Sequence, residues 1–124
     1  MNVIAVYAGS IIIIIWGIAH LFPTPAIVKG FGDISTDNKR ILVMEWVGAG
    51  LWMVFIGVLC LLITALLYGR ENAAQVVYIA ASAMLVISAV LGFFTGFRTA
   101  IIPIKLCPFV QIVCALLLIC GLGI

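Results

Sequence analysis

Charge is what this chain has least of. Only 8% of its 124 residues are charged, six Lys or Arg against four Asp or Glu, while 67% are hydrophobic and mean hydropathy is +1.45. Soluble domains use roughly 25% charged and about 45–50% apolar residues, so a water-soluble fold is excluded. Net charge is +2, with no basic patch interleaved with aromatics, which excludes nucleic acid as a partner. There is one histidine and no close-spaced ligand pair such as CxxC or HExxH, so neither a metal centre nor a haem is expected. A cleavable leader is not expected either: MNVIAVYAGSIIIIIWGIAHLF lacks a basic opening and a small-residue cleavage site, and its apolar run is as long as a full span.

What is there is four apolar runs, about residues 3–22, 41–67, 73–94 and 100–122. Each can supply the ~20 residues that cross a ~30 Å hydrocarbon layer. The expectation is an all-α, integral membrane four-helix bundle forming one transmembrane domain over residues 1–124. Pro23 and Pro25 stop the first helix, since neither can supply a helical N–H. Ala26 to Arg40 is the longest polar connection, with a short interfacial turn around Ile27 and Val28. The second helix starts near Ser35 to Asp37, where several side chains can cap it. It runs to about Tyr68, longer than a bilayer needs. Gly69 to Asn72 makes a tight polar turn.

The third run is rich in small residues, and Gly92 and Gly96 have GxxxG spacing, which suits either packing within the chain or an oligomer face. In the last run Pro108 removes the donor for the Ile104 carbonyl. The helix either kinks there or begins at Pro108 after an irregular lead-in. Four cysteines are present. Cys107 and Cys114 share a helix face but stand ~10 Å apart along the axis, beyond bridging distance. Cys60 and Cys120 have matched depths, which predicts them reduced but close, with the second and fourth spans adjacent.

The side holding the Trp16 to Glu45 region carries Lys29, Lys39, Arg40, Arg98 and Lys105, and the opposite side has Arg70 alone. The positive-inside rule then places those two connections in the cytoplasm and both termini outside a cytoplasmic (cell) membrane. His20, Glu45, Arg98, Lys105 and Cys107 all fall at one level near that inner face. An ionisable side chain in a span is a functional hypothesis by default, so these five are the candidate pocket residues. Glu45 has no basic residue at i+3 or i+4, so its partner comes from another helix, with His20, Arg98 or Lys105 the candidates, or it is protonated. Met44, Met53, Trp46 and Trp52 read as lipid-facing or core residues.

The run Trp16-Gly17-Ile18-Ala19-His20-Leu21-Phe22-Pro23 at the end of the first span, with the four-span layout and longer first connection, resembles the DoxX-like small membrane proteins. That resemblance implies a four-helix membrane bundle whose relatives are linked to quinone or sulfur redox chemistry. Glu45 and the Cys107-Pro108-Phe109 segment are not part of it. The function expected is binding of a small or lipid-like molecule, a quinone among the candidates, in a polar pocket near the cytoplasmic face. The partners expected are the lipid bilayer and that lipophilic ligand. The competing class is a non-catalytic accessory or oligomerising subunit that meets a homo-oligomer or another membrane partner. A small transporter ranks third.

Topology is tested with single cysteines at Asn38 and Asn72 and an impermeant thiol reagent on intact cells. The expected result is labelling of the Asn72→Cys site alone. Labelling of Asn38→Cys alone reverses the orientation.

Overall fold

Lipid offers no hydrogen bonds, so a spanning segment must satisfy its own backbone, and the helix does this within one segment. The computed structural model describes residues 1–66 and 71–123. Its elements are α1 (Val3–Leu21), α2 (Thr24–Gly30), α3 (Thr36–Leu66), α4 (Glu71–Phe94), a single 3-10 turn (Gly96–Arg98) and α5 (Ile102–Cys120). No strand occurs among the described residues. Four helices, α1, α3, α4 and α5, are long and apolar enough to cross a membrane. The protein is an all-α, multi-pass membrane protein built as a four-helix bundle.

Local chemistry sets the helix ends. The Asn2 side chain accepts from the Ala5 N–H at 3.2 Å and opens α1, and Pro23 follows its last turn. The turn expected around Ile27 and Val28 is the short helix α2, with Pro25 in its first turn, where a missing N–H costs nothing. Ser35 Oγ accepts from the Asn38 N–H at 3.2 Å and caps α3, with Asp37 favourably placed against the helix dipole. The turn expected at Gly69 to Asn72 lies partly outside the described residues, and α4 is already helical from Glu71. At 31 residues, α3 is about 46 Å long against a ~30 Å hydrocarbon layer. The excess is accommodated by tilt or by turns that stand outside the hydrocarbon layer.

The fourth span does not begin at Pro108. It is helical from Ile102, with Pro103 in the first turn and Pro108 inside the helix, so the Ile104 carbonyl loses its usual partner there. Pro108 is buried and packs against Gly92 of α4, where an added methyl would sit 3.3 Å from its Cβ. The missing side chain at Gly92 is what admits the proline ring.

Around the bundle the order is α3, α1, α5, α4: α1 packs on both α3 and α5, α4 packs on α5, and α3 touches α4 only lightly. This corrects the expected adjacency of the second and fourth spans, because α3 and α5 lie on a diagonal. Cys60 is fully buried and Cys120 is exposed. Equal depth fixed their height and left their direction around the helix axis open.

The tightest contact is between α1 and α3. A methyl added at Gly57 would lie 2.5 Å from Ile14 Cγ1 and 2.7 Å from the Ser10 carbonyl, and one at Gly17 would lie 2.8 Å from the Gly50 carbonyl. Helices in lipid gain nothing from the hydrophobic effect between them, so such close backbone approach and the dispersion it allows must hold them. α3 and α4 are joined at one end by a buried polar contact. Thr64 Oγ1 donates to the Cys60 carbonyl at 2.6 Å and lies 2.6 Å from Tyr78 Oη. With the threonine proton committed to Cys60, Tyr78 must donate. Ser82 Oγ donates to the Ala115 carbonyl at 3.2 Å and ties α4 to α5.

Two predictions follow from this packing, both read by thermal unfolding in mild detergent. Gly57→Val should cost about 1–3 kcal/mol by overpacking, whereas Gly48→Val, where nothing lies within 4 Å, should cost next to nothing. Tyr78→Phe should cost about 1 kcal/mol, in the range of interhelical hydrogen bonds in lipid. Wild-type stability in Gly57→Val would contradict the close α1–α3 approach.

Candidate functional site

The α1–α3 pair brings the last turn of α1 against the first buried turns of α3. The last four carbonyls of a helix have no partner within it, and one of them, that of His20, accepts from Trp46 Nε1 at 2.9 Å. The same two side chains stack, with ring centroids 4.1 Å apart and planes 16° from parallel. His20 Nε2 is buried and has no hydrogen-bond partner among the described residues.

One turn deeper, Trp16 Nε1 donates to Cys107 Sγ at 3.4 Å, linking α1 to α5. A turn beyond Cys107 on α5 is Gln111, only 5% exposed. Its Nε2 donates to Met53 Sδ of α3 at 3.9 Å, a weak acceptor for an amide.

These groups surround a cavity of about 730 Å³, within the usual range for small-molecule sites. α1 contributes Trp16, Ala19 and His20, α3 contributes Trp46, Ala49 and Trp52, and Gln111 lies deepest along α5. Ser88 and Gly92 of α4 face them, and Pro23 and Ile27 close the side next to α2. All three tryptophans of the chain line it. The cavity exists because α3 and α4 meet at their Thr64–Tyr78 end and stand apart at the other, where small residues of α4 leave the space unfilled.

Of the expected pocket residues, His20 and Cys107 line this cavity, and Glu45, Arg98 and Lys105 do not. Glu45 and Arg98 are exposed and Lys105 is half-buried. Glu45 is the main correction. Although it precedes Trp46, consecutive residues point about 100° apart around a helix, and Trp46 takes the inward direction. Glu45 is exposed on the outside of α3, with no ion-pair partner among the described residues. The expected His20–Glu45 pair is not formed. Among the described residues the one ion pair is Arg40–Asp37 at 3.6 Å, exposed on both sides and of small energetic weight.

Gly92 and Gly96 also line the cavity. Gly96 sits in the 3-10 turn rather than on α4, so the two do not form one helix face. They pack on Pro108 and Ile104 of the same chain. Among the described residues no three His, Cys, Asp or Glu side chains are grouped to hold a metal ion.

Sequence reasoning missed the tryptophans and Gln111. The amide had a usable signal, a strongly polar residue inside the apolar run Phe109 to Leu118. The tryptophans had none, because a ring facing lipid and a ring facing a cavity look alike in sequence. No protein-family model, curated protein or solved structure matches this chain.

Thiol reactivity tests the geometry. N-ethylmaleimide should modify exposed Cys120 and, through the cavity, Cys107 in the folded protein. Cys60 and Cys114, both 0% exposed, should react only after unfolding, and oxidation should give no Cys60–Cys120 product. Equal labelling rates for Cys60 and Cys120 would contradict the burial of Cys60, and a Cys60–Cys120 disulfide in the folded protein would contradict the bundle order.

Proposed function

We propose that this protein binds a small lipophilic molecule, taken from the bilayer, in the tryptophan-lined cavity at the His20 end of the bundle. The observation that carries the proposal is a cavity of about 730 Å³ holding a buried His20 Nε2 without a partner. A buried polar atom left unsatisfied costs about 1–3 kcal/mol, and a ligand that bonds to it recovers that cost. Tryptophan walls suit an apolar or aromatic body, since each ring offers a large rigid face and one N–H.

Two further observations support it. Trp16, Ala19, His20 and Pro23, all within the run that resembles DoxX-like proteins, line the cavity. The ligand class that this resemblance implies, a quinone or another redox-linked lipophile, would therefore sit against those residues. Five of the six Lys and Arg residues belong to connections at this end, so the positive-inside rule puts the cavity near the inner face of a cytoplasmic membrane. A ligand dissolved in the lipid could enter without crossing the headgroup layer.

Purification in mild detergent followed by native mass spectrometry tests the proposal. The expected result is a lipophile bound at one per chain, with His20→Ala lowering its affinity about tenfold, the equivalent of ~1.4 kcal/mol. A stoichiometric protein partner with no small molecule bound would contradict it and favour an accessory subunit.

A further inference from the structure

The chemistry of the cavity wall limits what can enter. Among the described residues no Asp, Glu, Lys or Arg side chain lines it. Of the acids and bases at the same level, Glu45 and Arg98 are exposed on the outside of the bundle and Lys105 is half-buried without lining the cavity. A ligand cation would find no carboxylate inside, and a ligand anion no ammonium or guanidinium. Removing an ion from water without a counter-charge is far more costly than removing a neutral polar group.

The wall is nevertheless not purely apolar at depth. Gln111 is 5% exposed, faces the cavity, and among the described residues its side-chain amide finds only a thioether at 3.9 Å. A buried amide has several bonds to offer, and a sulfur acceptor uses one of them poorly. It lies nine residues beyond the start of α5, about 13 Å along the axis, so the polar group it could serve is carried deep into the span.

We infer that the ligand is an uncharged amphiphile, an apolar body bearing a neutral hydrogen-bonding group such as an alcohol, carbonyl or amide, and that Gln111 selects that group. This deepens the reading of the cavity as a ligand site and rests on it. An organic cation, or any other ligand that carries a formal charge past Trp16 and Cys107 to the depth of Gln111, is disfavoured by the same argument. The neutral group meets the Gln111 amide, and the body lies among the tryptophan rings.

Because all three tryptophans line the cavity, their emission reports its occupancy. Anthracene absorbs in the range where tryptophan emits and carries no charge. The detergent-solubilised full chain is titrated with anthracene, 9-anthracenemethanol, 9-anthracenecarboxylate and 9-anthracenemethylammonium at neutral pH. The expected result is saturable quenching, with the alcohol binding at least tenfold more tightly than either ion. Gln111→Leu should bring the alcohol down to the level of anthracene itself. Gln111→Glu should turn the preference towards the ammonium congener, an outcome that a merely misfolded variant would not give. If either ion binds wild type as tightly as the alcohol, the charge inference is overturned while the cavity remains a ligand site. If none of the four quenches saturably, the ligand-site reading itself fails, and this inference with it.

Discussion

Everything in this bundle depends on how closely α1 and α3 approach. In water, two apolar helices would be driven together by the surface they hide, but in lipid the surroundings are as apolar as the helices, and contact distance has to supply the energy. Gly17, Gly50 and Gly57 remove the side chains that would hold the two backbones apart, and carbonyls of Ser10, Gly17 and Gly50 occupy the space those side chains would need. The pairing fixes the height and direction of α1 against α3. It thereby places His20 over Trp46, where a C-terminal carbonyl of α1 finds the donor it lacks within its own helix.

The cavity is a consequence of the same economy. Helices α4 and α5 form a second close pair around Gly92 and Pro108, and α1 joins the two pairs through α5. α3 and α4 are fastened at the Thr64–Tyr78 end and only lightly in contact elsewhere. At the far end the space between the pairs is bounded by the three tryptophans, by prolines and aliphatic side chains of α5, and by Ser88, Leu91 and Gly92 of α4. Rigid rings facing Ser88 and Gly92 leave part of that space unfilled. The polar groups that do face this space, His20 Nε2 and Gln111, are left with an absent or weak partner among the described residues, so hydrogen-bonding capacity stands unused in the cavity.

Much of the fold was legible in the sequence, because hydropathy over ~20 residues and proline placement are strong local signals. The four spans, the start of α3 near Ser35 to Asp37 and its excess length could all be read directly, though not which of several side chains caps it. The shared level of His20 and Cys107, which both line the cavity, could be read as well, since rise per residue converts sequence position into depth. What depth does not carry is direction around each helix axis. That is why His20 and Cys107 reached the cavity while Glu45, at the same height, faces outwards. It is also why Cys60 and Cys120 match in depth without meeting. Directions are set by which faces pack, and in this chain, whose apolar residues cover nearly all sides of each helix, the glycines of α1 and α3 mark those faces better than the hydrophobic pattern does.

The central claim is that the space between the helix pairs at the His20 end is a ligand cavity and not a closed core. Filling it with the protein's own atoms tests this most directly, and Ala49, a small residue on the α3 wall, is the position to fill. Ala49→Phe should leave the melting temperature in detergent equal to or above that of the wild type, because the ring enters unoccupied space and gains contacts, and it should abolish saturable quenching of tryptophan emission by 9-anthracenemethanol. A loss of about 1–3 kcal/mol, the usual cost of forcing a ring into a packed core, or unchanged quenching in a stable variant, would contradict it.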